Sequence, residues 1–184
     1  DVQGQRAYGE EGAERLASVQ ARKLTTIRKS HAATLETARA KMITSGDIYA
    51  PNGTVVGNVY TDFGVTRKQV AMDLTNAATD ILGKQREIVD HIQDNIMSGE
   101  TPSEIIALCS PSYFDAYISQ AGVKEAYKFY TSTQEPLRNG NWSQFRHGDI
   151  TLIRYNGKFK DASGVSQALI PDGDAYYLPL DTSD

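Results

Sequence analysis

One cysteine, Cys109, stands where a reactive thiol could act. It ends the apolar run Glu104–Cys109 and precedes Ser110-Pro111, a pair that favours the start of a helix. A thiolate is stabilised at a helix N-terminus, so the position suits a nucleophile. A phosphatase-type loop would place an arginine six positions later, but that residue is Asp115. We therefore predict a buried, unreactive thiol, and a hydrolase built on Cys109 is the weaker hypothesis.

A second set, Ser143, His147 and Asp149, supplies the residue types of a hydrolase triad within seven positions. Triads are assembled from distant segments, and odd-numbered residues of one strand point the same way, so this set cannot converge on a substrate. The single cysteine excludes an internal disulfide and a cysteine-built zinc site, and the three histidines lie far apart. The sequence contains no glycine-rich phosphate loop and no dinucleotide fingerprint. We expect no cofactor, no metal and no enzymatic activity.

Two basic pairs, Arg22-Lys23 and Arg28-Lys29, remain as residues that could bind a partner. The pairs are six positions apart and so occupy partly overlapping faces of a helix. Either they form a solvated polar face, or they contact an acidic neighbour, which is another copy of the chain or a nucleic acid. No aromatic residues alternate with them, which argues against binding to single-stranded nucleic acid.

These pairs belong to a predicted helix, Glu10–Ile43, which we call the spine helix. It contains no proline, and its apolar residues recur at short helical steps, at Leu16, Val19, Leu24, Ile27, Leu35, Ala38 and Met42. It would span roughly 50 Å, whereas a domain of this size has a radius of gyration of about 16 Å. It carries seven basic and four acidic residues, a net charge of +3, which leaves −7 for the rest of a chain whose total is −4. We expect other structure to lie against the spine helix.

The composition of the chain limits its number of domains and its class. The chain has 184 residues, of which 40% are hydrophobic, enough for one or two domains with a real core. No apolar run approaches the roughly 18 residues of a membrane-spanning helix. The sequence begins DVQGQRAYG, without an initiator methionine, and we expect a piece of a longer protein.

The remaining pattern predicts an α+β fold of short elements. Pro51-Asn52-Gly53 predicts a hairpin between strands 47–50 and 54–60, with extended chain to Gly64. Asp73 or Thr75 would cap the next helix. The other predicted elements are a strand at 65–72, helices at 76–97, 111–122 and 123–130, and strands at 104–109, near 145, at 150–155, 167–170 and 175–180, with turns at 156–157 and 171–174 and a long loop at 131–142. A boundary between two regions falls near residues 61–75.

The order of these elements resembles that of the major capsid proteins of tailed phages, in particular the phage-lambda-like major capsid protein E family. The resemblance rests on the spine helix followed by SGDIYAPNGTVVGNVYTDFGV, on the unit IIALCSPSYFDAYI, and on the segments FRHGDITLIRYNG and IPDGDAYYLPL. It runs from Leu16 to the C-terminus. Its weight comes from the ordered series and not from any single motif.

The resemblance implies the capsid fold named after the Hong Kong phage, with a long spine helix, a β-hairpin and a mixed α/β axial domain. Residues 1–69 would form the peripheral region and residues 70–184 the axial domain. Subunits would assemble into hexamers and pentamers of an icosahedral shell around double-stranded DNA, with a decoration or scaffolding protein as a further partner and no membrane. The protein would be made in the host bacterial cytoplasm and reside in the virion. Family members are longer, so we expect a trimmed or truncated piece, encoded by a prophage.

On this interpretation the functional residues are inter-subunit contacts. The hairpin tip would meet a neighbouring subunit, the polar loop would lie near the capsomer axis, and the basic spine would face an acidic neighbour or packaged DNA. The candidates are Arg22, Lys23, Arg28, Lys29, Asn52, Gly53, Gln134, Glu135, Arg138, Asn139 and Trp142. The alternative is a DNA-binding or nucleoid-associated adaptor that uses the basic helix.

Overall fold

The computed structural model describes residues 16–50, 53–96, 101–130, 143–160 and 165–182. In these ranges the chain forms five helices and eight strands. In order they are α1 (Leu16–Ser45), β1 (Asp47–Tyr49), β2 (Val55–Asn58), α2 (Val59–Asp62), α3 (Ile81–Asn95), β3 (Glu104–Cys109), α4 (Pro111–Ser119), α5 (Ala121–Tyr130), β4 (Gln144–His147), β5 (Ile150–Arg154), β6 (Lys158–Lys160), β7 (Ser166–Ala168) and β8 (Ala175–Leu180). The α+β class predicted from the sequence is confirmed.

A four-stranded mixed sheet forms the body of the molecule, in the order β4-β5-β3-β8. Strand β3 is parallel to β5 and antiparallel to β8, and β4 is antiparallel to β5. Helices α4 and α5 leave the end of β3. Ser110 caps α4 by accepting a hydrogen bond from the Tyr113 N–H at 3.3 Å, and Pro111 occupies the first turn, as the sequence predicted.

The core lies on one face of this sheet. Alternate residues of β3 are buried there, and α4 covers them with aromatic side chains. Tyr117 and Phe114 are 0% and 1% exposed, and so are among the largest fully buried side chains. The members of this cluster are Met72, Ile81, Ile88, Ile105, Ala107, Cys109, Tyr113, Phe114, Tyr117, Val123, Phe145, Ile150 and Leu152.

The predicted hairpin is present as β1 and β2, paired antiparallel with an irregularity after Ile48. The Gly53 N–H donates to the Ala50 carbonyl at 2.9 Å, and the Ala50 N–H donates to the Thr54 carbonyl at 2.8 Å. Gly53 has a φ of +83°, a conformation that glycine adopts without steric cost. These two bonds close the hairpin between Ala50 and Thr54.

Three predictions between the hairpin and α3 are wrong. The chain does not stay extended after residue 58, because the Asn58 side chain accepts hydrogen bonds from the Tyr60 and Thr61 N–H groups and starts α2. Residues 65–72 form no strand, and no described strand pairs with them. Helix α3 begins at Ile81 and not near residue 76, because the Asp80 side chain caps it through the Gly83 N–H at 2.9 Å.

Near the C-terminus the predictions are nearly right. The strand expected at 167–170 is β7, Ser166–Ala168, and it pairs with β6, a strand that the sequence pattern did not reveal. The tight turn predicted at Asn156-Gly157 is not present, and these residues link β5 to β6. The turn at 171–174 is confirmed by the hydrogen bond from the Asp174 N–H to the Pro171 carbonyl at 3.2 Å.

Candidate inter-subunit surfaces

The C-terminal end of α1 is bonded tightly to the hairpin. The Gly46 N–H donates to the Met42 carbonyl at 3.0 Å, and Gly46 has a φ of +79°, which ends the helix in a left-handed residue. A Cβ at this position would collide with the ring of Tyr60. The hydroxyl of Tyr60 in turn donates to the Ile43 carbonyl at 3.2 Å. The residue after α1 must therefore be glycine.

Arg67 ties the same helix end to the sheet. Its Nη1 donates to the Thr44 carbonyl at 2.5 Å, which places a cation at the negative end of the helix dipole. The guanidinium carbon also lies 5.8 Å from the ring centroid of Tyr60 and 5.4 Å from that of Tyr176 on β8, within cation–π range. We call Thr44, Tyr60, Arg67 and Tyr176 the Arg67 clamp. It joins α1, the hairpin segment and the central sheet at one point.

Two further contacts hold the last third of α1. The Tyr155 hydroxyl donates to Glu36 Oε1 at 2.5 Å, and Lys41 Nζ lies 5.1 Å from the ring centroid of Phe159.

Closer to the N-terminus, every side chain from Leu24 to Glu36 is exposed. Several of the helix's own hydroxyl groups bond back to the carbonyl four residues earlier, as Thr25 does to Ala21 at 2.9 Å. The middle of α1 is thus a helix without packing from the described body.

Four large apolar side chains of α1 form an exposed row, which we call the α1 stripe. Leu24, Ile27, Leu35 and Met42 are 54%, 51%, 57% and 52% exposed. At 3.6 residues per turn they fall within an arc of about 80°. A helix normally turns such a row toward its own core. Here the sequence prediction of an apolar stripe is correct, but the stripe is not covered by the described part of the chain.

A second exposed apolar group follows α1, and we call it the hairpin surface. It consists of Ile48, Val55, Val56, Phe63 and Val65, which are 41%, 55%, 70%, 76% and 54% exposed. Single exposed apolar residues are ordinary, but a concentration within eighteen residues of chain is typical of an interaction surface. Neither the α1 stripe nor the hairpin surface covers the other within one molecule.

The predicted basic pairs lie on the exposed part of α1. Arg22, Arg28 and Lys29 are exposed and Lys23 is half-buried. The described helix contains six basic residues and one acidic residue, a net charge of +5. Its predicted acidic first turns fall in residues 1–15, outside the described residues. The excess of basic over acidic residues that was predicted for the spine helix is therefore present in α1.

The other predicted contact residues are only partly covered by the structure. Gly53 is exposed at the hairpin tip, and a Cβ there would meet nothing within 4 Å. The remaining candidates lie outside the described residues, and their roles stay predictions. They are Asn52, Gln134, Glu135, Arg138, Asn139 and Trp142.

Cys109 is buried, as predicted. It is 0% exposed, and burial raises the pKa of its thiol to about 12. Its Sγ donates to the Ala107 carbonyl at 3.4 Å. A nucleophilic cysteine needs a lowered pKa and access to solvent, and Cys109 has neither.

Ser143, His147 and Asp149 do not form a triad. His147 Nδ1 and the buried Tyr117 hydroxyl share a hydrogen bond of 2.7 Å, and Gln85 Nε2 donates to the same hydroxyl at 2.6 Å. Burial lowers the pKa of His147. Ser143 and Asp149 are exposed on either side of it. The histidine thus completes a structural polar network between α3, α4 and β4.

No group of three or more metal-ligating side chains occurs among the described residues. The same residues include no helix that is both long and apolar enough to cross a membrane.

Comparison with known proteins decides the family. The sequence profile described as "Phage major capsid protein E" matches residues 1–184. The major capsid protein of Pseudomonas phage KPP10 is 37% identical over 192 aligned positions, which cover 97% of this chain and 55% of that protein. The major capsid protein of Salmonella phage Felix O1 is 27% identical over 172 positions, which cover 84% of this chain and 46% of that protein. The chain belongs to the phage major capsid protein E family.

Membership of this capsid family confirms the resemblance inferred from the order of elements. The chain spans about half the length of the two curated relatives that it matches. Within this capsid-family chain, sequence reasoning missed the Arg67 clamp and the hairpin surface. The clamp left no local signal, since it brings Thr44, Tyr60 and Arg67 together with Tyr176, which lies more than a hundred positions later. Phe63-Gly64-Val65, two apolar residues in a polar segment with no helical or strand period, was a signal that could have been used.

Proposed function

We propose that the chain is part of a structural subunit of a phage or prophage icosahedral capsid. Subunits associate into hexamers and pentamers, and these close into a shell around double-stranded DNA. The observation that carries the proposal is the family match over all 184 residues. The exposed α1 stripe supports it, because large apolar side chains that the described chain leaves uncovered are typical of an interaction surface.

The fold proposed for the subunit is the Hong Kong phage type. In this assignment α1 is the spine helix, β1 and β2 belong to a peripheral region of residues 1–69, and the central sheet belongs to an axial domain of residues 70–184. The four-stranded mixed sheet with α3, α4 and α5 supports the axial assignment, since all of these elements lie after residue 70.

The subunit's partners are other copies of itself, with a decoration or scaffolding protein in addition. The polar loop that contains Gln134, Glu135, Arg138, Asn139 and Trp142 is assigned to a contact near the capsomer axis, and Asn52-Gly53 to a neighbouring subunit. The protein is made in the host bacterial cytoplasm and ends in the virion capsid. Its chemistry is self-association, not catalysis, and the buried Cys109 supports this.

Expression of the full-length capsid protein tests the proposal. We expect closed shells or capsomers by electron microscopy and fast-sedimenting particles in analytical ultracentrifugation. A full-length chain that stays monomeric at high concentration, with its scaffolding partner supplied, would contradict it.

Packaged DNA is proposed as a second, non-specific partner of α1. The net charge of +5 on the described helix favours it, because basic side chains release counterions from DNA. Full-length protein should bind duplex DNA of any sequence, with an affinity that falls steeply as salt rises. Alanine at Arg22, Lys23, Arg28 and Lys29 should remove that binding. Strong binding by a monomeric, non-assembling protein would instead support the DNA-binding or nucleoid-associated adaptor.

A further inference from the structure

A buried polar network joins three elements of the sheet region. Its members are Gln85 on α3, Tyr117 on α4 and His147 at the end of β4, and we call them the His147 network. Gln85 and Tyr117 are 4% and 0% exposed, and His147 is half-buried. Gln85 Nε2 lies 2.6 Å from the Tyr117 hydroxyl oxygen and 3.4 Å from the His147 carbonyl oxygen, and His147 Nδ1 lies 2.7 Å from the same hydroxyl. Each member is therefore bonded to both of the others.

The strand that carries His147 lies at an edge of the central sheet, where it pairs with β5. Phe145 and His147 point to the core face of this strand, and their rings stack with centroids 6.1 Å apart. Tyr117 meets both rings edge-on, at 6.4 Å and 5.8 Å. An edge strand can separate from a sheet while the other ladders stay intact, so β4 can respond on its own to a change in these contacts.

The number of protons in the network limits the charge of His147. A tyrosine hydroxyl has one proton to donate. When the imidazole is neutral with its proton on Nε2, Tyr117 donates to Nδ1 and accepts from Gln85, so each of these donors has a partner. A protonated imidazole carries a hydrogen on both ring nitrogens. Tyr117 would then accept from Gln85 and from His147, and its own proton would have no acceptor at a site with 0% exposure.

Turning the Gln85 amide over does not rescue that proton. The turn would place Oε1 beside the Tyr117 hydroxyl, where it could accept. The same atom would then face the His147 carbonyl oxygen, which Nε2 now contacts at 3.4 Å, and two acceptors repel each other. A buried donor without an acceptor is unfavourable, as is a buried pair of acceptors. The closed network and a protonated His147 therefore disfavour each other.

The surroundings of His147 offer no buried carboxylate that would hold a proton on it, since the buried polar residues of the described ranges are Thr44, Gln85, Ser110 and Gln120. Asp149, in the turn after β4, is exposed, so water and salt screen its charge. Burial lowers the pKa of His147. The other charged or titratable side chains within four positions of a network residue are Lys84, Arg86 and Glu87 on α3, Tyr113 and Asp115 on α4, and Arg146 on β4, and Tyr117 is also approached by Cys109 of β3 and Tyr177 of β8.

We propose that the His147 network is an acid-sensitive contact, and that protonation of His147 releases β4 and α3 from the core while β5, β3 and β8 stay paired. The contact is closed at neutral pH. It goes beyond the assembly proposed for the subunit, because all of its groups lie within one chain and it needs no neighbouring copy.

The pH range of the opening follows from the linkage between protonation and structure. Because the pKa of His147 in the closed state lies below the ordinary value of 6.5, the network is fully favoured above pH 6.5. Opening increases as the pH falls from there to the closed-state pKa and levels off below it. Within this interval the open fraction should rise by up to about tenfold per pH unit.

Hydrogen exchange of the full-length protein tests the proposal. Amide exchange is measured at about pH 7.5 and about pH 5 in one oligomeric state, and each rate is divided by the intrinsic rate of that amide at that pH. We expect opening of β4, and of α3 around Gln85, to increase by about tenfold at the lower pH, whereas β3 keeps its protection. A β4 that opens no more at the lower pH, or that opens only together with β3, would overturn the proposal.

His147→Gln removes the titrating group and should abolish the pH dependence of β4 opening. A merely structural role of the side chain would change protection by the same factor at both pH values. His91→Gln is the matched control, because His91 is an exposed histidine of α3 whose Nδ1 lies 3.2 Å from Asn95 Nδ2. This variant should keep the response. A response that persists in His147→Gln, or that disappears in His91→Gln, would contradict the proposal.

A titration of the unsubstituted protein decides the case in which His147→Gln leaves β4 open at both pH values. The ring signals of isotope-labelled histidine are followed by NMR over the same pH range. We expect His147 to take up its proton below pH 6.5, with a midpoint that coincides with the opening of β4. A His147 that becomes protonated while β4 stays protected would show that the network tolerates the charge, and the proposal would fail.

Discussion

The central sheet and α1 use apolar residues in opposite ways. In the core between the sheet and α4, Phe114 and Tyr117 of α4 and Ile150 and Leu152 of β5 are at most 1% exposed and belong to one cluster. In α1, Leu24, Ile27 and Leu35 are more than half exposed. The sheet region packs within the described chain, whereas α1 is exposed along its middle, from Leu24 to Glu36, between the buried Val19 and its packed last third. The difference teaches that the two regions depend on the described chain to different degrees: the sheet region buries its own apolar residues, whereas the middle of α1 leaves them exposed.

The largest expected difference between the two regions is in amide hydrogen exchange. In the free subunit, amides of residues 24–36 should exchange quickly, because isolated helices are marginal in water. Amides of β3 should stay protected, since this strand is paired on both sides. In assembled particles both regions should be protected. Equal protection of residues 24–36 in both states would show that α1 is already covered in the subunit.

In the free subunit, a substitution in the core should lower the free energy of unfolding by several kcal/mol more than a substitution in the α1 stripe. Phe114→Ala removes a side chain that is 1% exposed, and should lower the free energy of unfolding by about 3–5 kcal/mol. Leu35→Ala, at 57% exposure, should change it by about 0.5 kcal/mol or less. Urea denaturation followed by fluorescence measures both. A large loss from Leu35→Ala would mean that the stripe contributes to folding and not only to assembly.

The sequence predicted the strands and helices around the central sheet better than it predicted which apolar surfaces are left exposed. The run Glu104–Cys109 followed by Ser110-Pro111 predicted a strand and a capped helix correctly, because burial pattern and capping are local signals. The row of apolar residues in α1 predicted a covered stripe, but periodicity alone does not say which molecule covers it. The prediction of a strand at 65–72 was wrong for a related reason. Its alternation reflects the packing of Val70 and Met72 on the core, and none of the strands in the described ranges pairs with it.

The smallest expected difference is a pH dependence confined to the sheet region. His147 shares a hydrogen bond with the Tyr117 hydroxyl, and burial lowers the pKa of the imidazole. Because the folded state binds the proton less readily than the unfolded chain, this contribution to stability is complete above the unfolded pKa of 6.5 and is lost as pH falls through the folded-state pKa. Urea denaturation between about pH 5 and pH 8 measures it.

His147→Gln is the control for that measurement, since it removes the titrating group and retains a polar side chain. It should flatten the acid side of the stability profile. An unchanged profile would assign the pH dependence to other groups. Exchange in residues 24–36 should not respond to this substitution, because His147 has no described contact with α1.

Because the Arg67 clamp lies at one end of α1, a small rotation of the helix there displaces its other end by a large distance. The helix is 30 residues long, and the clamp grips one end of it. At about 1.5 Å per residue, a rotation of about 10° at the clamp moves the far end by about 8 Å. A small shift of the Arg67 guanidinium between the rings of Tyr60 and Tyr176 would thus move the N-terminal end of α1 by more than the diameter of a side chain. The direction in which α1 leaves the central sheet is therefore set near this end of the helix.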